Sequence, residues 1–489
     1  MKLLIGEEEF CRLAEIYTII PVAADLPADL ETPVSVYYKI VGDRPGFMLE
    51  SAEASKTIGR YSFIGADPFL TLTARSAYSE GVRDGEAFRL DGPPLAALQQ
   101  LLDGFACPGL AGLPPFSGGA VGYLAYEAAA TWERIRGLAV PPAMILGEFM
   151  FCRTIVAFDH LTHAVKLIHL APAGGADPVA VYRQAAARLG DLADKIRRPA
   201  ELSRDEGQSG GGSRPAAPAG FGRERYEAMV AAAKEFIAAG EIFQAVLSLP
   251  FCRPLSVPPF VLYRRLRQVN PSPYMFYLDF GPRQLVGASP EMLVKHRDGR
   301  VFTNPIAGTR PRGRDAAEDA RLAAELLADA KEKAEHAMLV DLGRNDLGRI
   351  CRPGTVAVRR YMEVENYSHV MHLVSEVAGE LAPGKKPTDI LAACFPAGTV
   401  SGAPKIRAME IIDRLEGERR GPYAGAVGYF DFCGNLDTCI AIRTLIVAGG
   451  EVVAQAGAGI VADSAPAAEY REVIHKAAAM FKVLGGEEA

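Results

Sequence analysis

Paired cysteine motifs, long apolar runs and an excess of one charge sign are all missing from this sequence of 489 residues. Its eight cysteines are scattered without a CxxC pair, which argues against a disulfide framework, structural zinc and iron–sulfur clusters. No segment approaches the roughly 20 consecutive apolar residues of a membrane helix. The apolar N-terminal stretch is too short for a signal peptide, because it runs straight into glutamates at 7–9. The sequence therefore predicts a soluble, cytoplasmic protein with reduced thiols.

Positive and negative charges are nearly balanced. The 53 lysine and arginine residues oppose 59 aspartate and glutamate residues, which gives a formal net charge of −6. Because the two signs are mixed along the chain, binding to nucleic acid or to an anionic membrane is not expected. The length exceeds the roughly 150 residues of a typical domain, so we expect two or three units or one large shared core.

The clearest break in the chain is a segment rich in glycine, serine and proline at 201–222. This composition offers little apolar surface to bury and predicts a flexible linker between an N-terminal region, 1–200, and a C-terminal region, 223–489. Apolar periodicity predicts helices at 179–196, 224–239, 257–268, 319–342 (the longest) and 465–484, and strands at 34–40, 69–73, 154–158, 242–251, 274–280, 292–296, 426–432, 438–447 and 452–456. Since the elements do not alternate strictly as βαβ, the predicted fold class is α+β.

Two predicted helices each carry a pair of glutamates three residues apart, Glu332 with Glu335 and Glu469 with Glu472. This spacing places both carboxylates of a pair on one helix face. Carboxylates that converge from two helices could hold Mg²⁺, which keeps some waters and accepts oxygen ligands from an anionic substrate. A third helix has the same spacing, however, and such pairs usually lie on a solvated surface, so the spacing alone favours the structural interpretation.

Two glycine-containing segments could bind an anion. The segment 398–405 leads into a predicted helix, and its backbone N–H groups, the Thr399 hydroxyl and the Lys405 ammonium could hold a carboxylate or phosphate. An ordinary loop before a helix is an equally good interpretation, and the Walker order GxxxxGK[ST] is absent. Gly457-Ala458-Gly459 lacks the third glycine of a dinucleotide site, so it more plausibly permits a close approach of backbone to a ligand or to another strand.

Two titratable side chains are candidates for proton transfer. Glu291 lies in a Ser-Pro-Glu turn between two predicted strands, where partial burial could raise its pKa enough for general-acid catalysis. A surface glutamate is the more common outcome for such a turn. His372 lies in the mostly apolar segment 370–377, where a histidine is more often a hydrogen-bonded core residue than a proton carrier.

Five longer segments resemble the chorismate-utilising enzymes, in particular the large subunits of anthranilate synthase. They are 306–313 (IAGTRPRG), 334–349 (AEHAMLVDLGRNDLGR), 398–405 (GTVSGAPK), 423–429 (YAGAVGY) and 457–464 (GAGIVADS). Weaker matches in the first region are 49–51 (LES) and 59–65 (GRYSFIG). The resemblance implies an α+β fold with packed antiparallel sheets flanked by helices, and a reaction cleft in the second region.

The resemblance also implies a reaction and its residues. Magnesium would be bound by Glu335 and Glu472, with Glu332 and Glu469 close by, and would hold the ring carboxylate of chorismate. Glu291 would protonate the departing 4-hydroxyl, ammonia would add at C2, and loss of the C2 proton with pyruvate would leave anthranilate, the first step of tryptophan biosynthesis. The implied catalytic residues are Glu291, His372, Thr399 and Gln244, and the implied substrate contacts are Gly308, Thr309, Tyr423, Arg443, Gly457, Ala458, Gly459 and Lys405.

Two positions distinguish between the reactions of this family. Relatives that add water carry a lysine base where this chain has Gln244, and relatives of the folate branch carry a lysine where this chain has Ala307. Both positions therefore favour anthranilate. The alternatives are an aminodeoxychorismate synthase, a silent tryptophan-binding regulator and a generic magnesium phosphotransferase.

The same resemblance implies feedback inhibition and a partner. Tryptophan would occupy a site formed by Glu50, Ser51, Pro273, Tyr274, Met275, Val427 and Tyr429, with a carboxylate for its amino group and apolar side chains around its indole. Core packing is the alternative role for the segment 273–275. Because nothing in the chain resembles a glutaminase, ammonia would come from a separate glutamine amidotransferase subunit, component II, in a heterotetramer of two large and two small subunits.

Overall fold

A computed structural model describes residues 2–27, 30–51, 59–175, 177–199, 222–367 and 370–484. The predicted linker lies, apart from Gly222, outside the described residues. The helices are α1 (Glu7–Ala14), α2 (Pro33–Ile40), α3 (Pro94–Asp103), α4 (Pro178–Arg197), α5 (Arg223–Ala238), α6 (Pro259–Val269), α7 (Ala316–Ala328), α8 (Ala330–Gly348), α9 (Pro387–Cys394), α10 (Lys405–Glu416) and α11 (Pro466–Phe481). No helix in these described ranges is long and apolar enough to cross a membrane.

The strands of the first region are β1 (Ile19–Pro27), β2 (Gly46–Glu50), β3 (Tyr61–Ala74), β4 (Tyr78–Arg83), β5 (Glu86–Asp91), β6 (Gly119–Leu124), β7 (Gly147–Asp159) and β8 (Ala164–Pro172). Those of the second region are β9 (Gln244–Pro254), β10 (Tyr274–Asp279), β11 (Arg283–Ser289), β12 (Met292–Arg297), β13 (Arg300–Thr303), β14 (Ile306–Pro311), β15 (Ala357–Asn366), β16 (Val370–Glu380), β17 (Gly402–Ala403), β18 (Ala426–Asp431), β19 (Leu436–Ile440), β20 (Thr444–Ala448) and β21 (Glu451–Ile460).

Two arms of antiparallel strands extend from the β3–β7 pair. The first arm continues through β2, β10, β11, β20, β21 and β9. The second arm continues through β6, β18, β19, β12, β13 and β16, and β16 also pairs with β14 and β15. Because β2 pairs with β10 and β6 pairs with β18, both arms contain strands from both regions of the chain.

Apolar side chains fill the space between the arms and behind each of them. An inner cluster that includes Phe63, Phe276 and Tyr429 joins strands of both arms. Behind the first arm, a larger cluster is built with α2, α4, α5, α6, α10 and α11. Behind the second arm, α3, α8 and α9 pack in the same way. This arrangement of helix, sheet, sheet and helix layers is the α+β fold with packed antiparallel sheets that the sequence predicts.

The strand predicted at 34–40 is wrong, because these residues form helix α2. Thr32 caps the helix, accepting a hydrogen bond from the Ser35 N–H (3.1 Å) while the Ser35 hydroxyl accepts from the Thr32 N–H (2.9 Å). Pro33 occupies the first turn, where a missing N–H costs nothing. The buried residues Val36, Tyr37 and Ile40 then follow the spacing of a helix and not of a strand.

Two other predicted elements are interrupted. The helix predicted at 319–342 is divided at Asp329, whose carboxylate accepts from the N–H groups of Lys331 (3.0 Å) and Glu332 (3.2 Å) and so starts α8 anew. The longest helix in the described ranges is therefore α4, with 20 residues. The strand predicted at 438–447 is split into β19 and β20, with Arg443 between them at φ 49°.

Candidate functional site

Glu291 lies in the turn that connects β11 with β12, as the sequence predicts. Its side chain accepts a hydrogen bond from the Thr399 hydroxyl (2.8 Å), and its carbonyl accepts from the Ile440 N–H (3.1 Å). Burial raises the pKa of the Glu291 carboxyl, while the Thr399 hydrogen bond and the charges of Arg443 and Lys476 act in the opposite direction. Burial thus favours the protonated form that a general acid requires.

His372 lies on β16 beside the bulge of β14. Its Nδ1 is 3.0 Å from the Gly308 carbonyl oxygen and 3.0 Å from the Thr309 hydroxyl. Burial lowers the pKa of the imidazole, the Gly308 hydrogen bond raises it, and the Arg443 charge lowers it. Because a carbonyl oxygen can only accept a hydrogen bond, Nδ1 is the donor, so the neutral ring carries its proton on Nδ1 and keeps Nε2 as an acceptor.

Gly308 has a conformation and surroundings that suit glycine. The register between β14 and β16 shifts next to it, and its φ is 69°, in the left-handed region. A Cβ at this position would lie 3.0 Å from Leu326 Cδ1 and 3.1 Å from a Glu332 carboxylate oxygen. The bulge therefore brings the backbone of Gly308 directly against one of the predicted metal-site glutamates.

The glycines of β21 allow two side chains to cross over the strand. A Cβ at Gly457 would lie 2.8 Å from the Tyr423 hydroxyl, and one at Gly459 would lie 2.5 Å from Gln244 Nε2. Ala458, between them, is buried. The Gln244 Oε1 atom is buried without a hydrogen-bond partner among the described residues. The structure thus brings the predicted 457–459 segment together with Tyr423 and Gln244.

The charges of two predicted metal-site glutamates act on a third. Burial raises the pKa of Glu335, the nearby charges of Glu332 and Glu472 raise it further, and the Gln244 amide partly offsets this effect. Glu469 lies in the first turn of α11, one turn before Glu472. Repulsion of the ionised Glu335 carboxylate by neighbouring carboxylates is the electrostatic condition under which a cation binds favourably.

Two cations already contact these carboxylates. Lys476 is 2.7 Å from a Glu472 oxygen and donates to the Gly457 carbonyl (2.9 Å). Arg310 binds Asp329 (2.8 Å) and lies 3.5 Å from Glu332. The sequence reasoning missed both, although Lys476 follows Glu472 by four residues, a helical ion-pair spacing.

The donor set fits magnesium better than a transition metal. Across the described part of the chain, no three His, Cys, Asp or Glu side chains converge closely enough to hold a metal. Magnesium does not require such a cage, because it is commonly bound through one or two carboxylates, waters and an anionic substrate. Glu335 and Glu472 carry carboxylate oxygens of the kind that magnesium accepts as ligands.

Lys405, another predicted substrate contact, is engaged by protein groups. Its ammonium is 2.9 Å from an Asp346 carboxylate oxygen and 3.1 Å from the Cys394 carbonyl, in a largely buried ion pair. The contacts anchor the start of α10 to α8 and α9. This geometry gives no support to a substrate contact by Lys405.

Arg443 lies close to both candidate proton-transfer groups, since its charge lowers the pKa of Glu291 and that of His372. Its Nη1 is also 3.5 Å from the Asn270 side-chain oxygen. The interruption between β19 and β20 is what places this guanidinium beside the Glu291 turn. A planar guanidinium at this point can bind a carboxylate through two parallel hydrogen bonds.

A second site is a cavity of about 490 Å³ between the two strand arms. Its volume lies within the range of small-molecule pockets. The first arm contributes the ends of β2 and β10, and the second contributes β12, β18 and β19. All the predicted inhibitor residues line it: Glu50, Ser51, Pro273, Tyr274, Met275, Val427 and Tyr429.

Polar groups of this cavity are held in fixed positions. The buried Glu50 carboxylate accepts from Tyr263 (2.8 Å) and twice from Arg267 (2.8 Å each). The Ser51 hydroxyl is buried with no partner among the described residues. The Tyr274 hydroxyl donates to Asp437 (3.0 Å), which also pairs with Lys295 (2.8 Å).

Several lining residues were not predicted. Lys295 and Arg297 are two positions apart on β12, so their side chains project from the same face of the strand. Arg60 and His160 also line the cavity. Only the period-two spacing of Lys295 and Arg297 was readable in the sequence, and it does not reveal which face meets a cavity.

Comparisons with known proteins bear on the family and on the fold. The family model described as chorismate binding enzyme matches residues 45–482. The chain is 43% identical over 485 residues to anthranilate synthase component 1 of Acetivibrio thermocellus, covering 98% of this chain and 97% of that protein. It is 47% identical over 466 residues to the Thermus thermophilus protein of the same name, covering 94% and 97%.

Solved structures share the fold. Anthranilate synthase component I from Streptococcus pneumoniae matches with a TM-score of 0.75 and 36% identity over 93% of this chain and 98% of that chain. The menaquinone-specific isochorismate synthase of Escherichia coli matches with a TM-score of 0.70 at 20% identity over 98% of each chain, which bears on the fold alone. The predicted resemblance and fold class are confirmed. With a family model that covers most of its length and relatives aligned almost end to end, the chain belongs to the anthranilate synthase component 1 family of the chorismate-binding enzymes.

Proposed function

We propose that this chain converts chorismate and ammonia to anthranilate, pyruvate and water in a magnesium-dependent reaction, the first step of tryptophan biosynthesis. The observation that supports this most directly is the Glu291 turn, where a carboxyl with a raised pKa is hydrogen-bonded to Thr399 and lies close to Arg443. A poor leaving group such as a hydroxyl needs a nearby acid, and this turn supplies one.

Glu335 and Glu472 would hold the magnesium ion, with Glu332 and Glu469 beside them. When bound, Mg²⁺ would fix the ring carboxylate and offset its negative charge. Arg443 would bind the second carboxylate of chorismate, and the N–H groups near Gly457 and Gly459 can approach a substrate closely because these residues lack a Cβ.

The proton transfers follow from the protonation states of the site. Glu291 gives its proton to the 4-hydroxyl, which leaves as water while ammonia forms a bond to C2. The added nitrogen then gives up a proton, and loss of the C2 proton together with the enolpyruvyl group, which takes up a proton to become pyruvate, forms the aromatic ring. We assign His372 a role in positioning or proton transfer through Nε2, because its Nδ1 is held by the Gly308 carbonyl.

Gln244 supports amination over hydration. An amide cannot act as a base toward water, and unprotonated ammonia needs no base. Its location between Gly459 and Glu335 places it within the same site as the predicted metal ligands. Ala307, on β14 beside Gly308, is the position that distinguishes the anthranilate branch from the folate branch.

The direct test incubates the purified chain with chorismate, Mg²⁺ and an ammonium salt, and follows product by fluorescence and mass. We expect anthranilate plus pyruvate, no product without metal, and greatly reduced turnover in a Glu291→Gln variant. An aminated product that retains its enolpyruvyl group would instead assign the chain to the folate branch. A Glu335→Ala variant with unchanged turnover would contradict the magnesium assignment.

We also propose that tryptophan binds in the 490 Å³ cavity and inhibits the enzyme. Pro273, Met275 and Val427 offer apolar contacts for an indole, and the unpartnered Ser51 hydroxyl offers a hydrogen bond. Glu50 accepts three hydrogen bonds and so retains one acceptor position for an ammonium group.

Calorimetric titration with tryptophan, together with an inhibition curve, tests the inhibitor site. A Val427→Phe variant fills part of the cavity and should weaken both binding and inhibition in parallel. The absence of binding heat and of inhibition in the unsubstituted chain would refute the assignment.

We infer that ammonia is supplied by a glutamine amidotransferase partner, component II, in a cytoplasmic assembly of two large and two small subunits. The name component 1, carried by the relatives, implies a second component. The eight cysteines are all free thiols, consistent with a reducing compartment. The purified chain should use ammonium salts but not glutamine, and light scattering of the reconstituted complex should give the mass of the heterotetramer. Substantial glutamine-driven turnover by the chain alone would contradict the need for a partner.

A further inference from the structure

A buried arginine lies behind the candidate site without facing it. Arg420 lies just after α10, and its side chain is 1% exposed. Its Nε and Nη2 donate to the two oxygens of Glu416 at 2.8 and 2.6 Å, a bidentate ion pair. The mechanism proposed above gives this pair no role.

The remaining N–H groups of Arg420 reach two segments that form the site. Nη1 donates to the Val400 carbonyl (2.7 Å), next to Thr399, which binds Glu291. Nη2 also donates to the Val246 carbonyl (2.7 Å), and Val246 is paired in register with Gly459. One planar guanidinium therefore fixes the distance between the Thr399 loop and the β9–β21 pair.

Glu416 and the aromatic rings extend these contacts. The Glu416 carboxylate accepts from both the N–H and the hydroxyl of Ser248 (2.8 Å each), and Ser248 is paired in register with Gly457. The Arg420 guanidinium also lies over the ring of Tyr423, 5.6 Å from its centroid. Tyr423 crosses Gly457, as described above, so the same ion pair contacts a third element of the site.

Side chains from the first region of the chain also contact Arg420. The ring of Tyr126 lies 4.6 Å from the Arg420 guanidinium, on a 3₁₀ turn that follows β6. The Glu127 carboxylate accepts from the backbone N–H groups of Arg420 (2.5 Å) and Gly421 (3.1 Å). Side chains from both regions thus hold one arginine in a single orientation.

We propose that the Arg420–Glu416 pair is a positioning unit for the amination reaction, which holds the Thr399 loop, the Gly457–Gly459 segment and Tyr423 at fixed mutual distances. It touches neither substrate nor metal. The inference rests on the proposed use of this cleft for chorismate. An ion pair retained only for folding would not need to contact three separate elements of one site, and buried pairs of this kind can often be replaced by uncharged residues with little loss of stability.

The test is the double variant Arg420→Met/Glu416→Gln, which removes both charges and retains an acceptor for Ser248. We expect kcat for ammonium-driven turnover to fall by about 100-fold, the effect of misplacing catalytic groups by around 1 Å. KM for chorismate should change less, because Arg443 is untouched. Hydrogen exchange at Val400 and Ser401, whose N–H groups bond to Ala397 and Gly398, should become faster.

The matched control is Arg283→Met/Glu148→Gln, which removes another partly buried arginine–glutamate pair (2.6 Å) at the end of β11 opposite to the Glu291 turn. We expect it to lower the thermal midpoint without changing kcat or exchange in the Thr399 loop. Unchanged kcat and exchange in the Arg420→Met/Glu416→Gln variant would overturn the proposal.

A conservative variant decides the matter if the double variant does not fold. Arg420→Lys keeps the charge beside Glu416 but lacks the planar fork that reaches both carbonyls. We expect it to fold, with reduced kcat and faster exchange at 398–401, and full activity with normal exchange would overturn the proposal. The exchange measurement needs no turnover, so an inactive wild type would count against the proposed function and not against the positioning unit.

Discussion

Replacing Gly308 by alanine tests how the β14 bulge connects His372 with Glu332, one of the proposed metal-site glutamates. With φ at 69°, an L-residue is strained by about 1–2 kcal/mol. An unfolding entropy of roughly 2 cal/mol/K per residue gives about 1 °C per kcal/mol for 489 residues, so strain alone lowers the thermal midpoint by about 1–2 °C. The added Cβ would also press on Leu326 and Glu332 at 3.0 and 3.1 Å.

The crowding, and not the strain, should affect activity. Displacement of Glu332 and of the carbonyl that holds His372 should lower kcat by roughly 10–100-fold, and the Mg²⁺ concentration for half-maximal activity should rise. Gly299→Ala is the matched control, because Gly299 has a similar φ of 77° and open space around the new Cβ. It should show the same loss in thermal midpoint with unchanged kinetics. Equal kinetics for the two variants would refute the reasoning.

Two further substitutions test the charges of the site. Thr399→Val removes a hydrogen bond that lowers the pKa of Glu291, so this pKa should rise. Because the acid form of Glu291 is required, activity is lost as pH rises through this pKa. The alkaline limb of the kcat/KM profile should therefore move to higher pH. An unmoved limb would mean that Glu291 is not the titrating acid. Glu335→Gln removes one proposed metal ligand and should weaken magnesium activation by at least 10-fold, measured by titrating activity with Mg²⁺. An unchanged activation curve would exclude Glu335 as a ligand.

Local signals were sufficient where an element is defined by its own residues. Gly240, at φ 75°, ends the helix predicted at 224–239, and Gly449 and Gly450, at φ 58° and 80°, form the hairpin predicted between β20 and β21. Both depend on the conformational freedom of glycine, which the sequence displays directly. The motifs that carry the family resemblance are likewise contiguous segments that can be identified from the sequence alone.

Elements that depend on distant partners were less predictable. The run at 438–447 is mostly apolar, with Thr438, Arg443 and Thr444 as its polar residues. It divides because β19 pairs with β12 and β18 while β20 pairs with β11 and β21. The segment at 34–40 was misassigned for a different, local reason: its β-branched and aromatic residues suit either state, and the cap at Thr32, just before the segment, decides for a helix. Periodicity alone does not contain either fact.

The site shows the same division. Glu291, His372, Thr309 and Gly308 were predicted and are brought together by hydrogen bonds or by the Arg443 charge. Lys405 carries a charge that suits a substrate anion, yet it is paired with Asp346, 59 residues away in the chain. The local sequence does not indicate a partner this distant in the chain. A cation in a glycine-rich loop was therefore not sufficient evidence to predict a substrate contact.

Proposed feedback between the two sites would require only short connections. Tyr274, which lines the inhibitor cavity, is paired in register with Ser289, two residues before Glu291. On the second arm, Asp437 and Cys439 line the same cavity, and the next residue, Ile440, donates its N–H to the Glu291 carbonyl. A ligand that shifts Tyr274 or Asp437 therefore acts on both strands that hold the Glu291 turn. Such coupling needs two arrangements of these strands with different affinities for tryptophan. The break at Arg443, between β19 and β20, lies at the point where the two strand arms diverge.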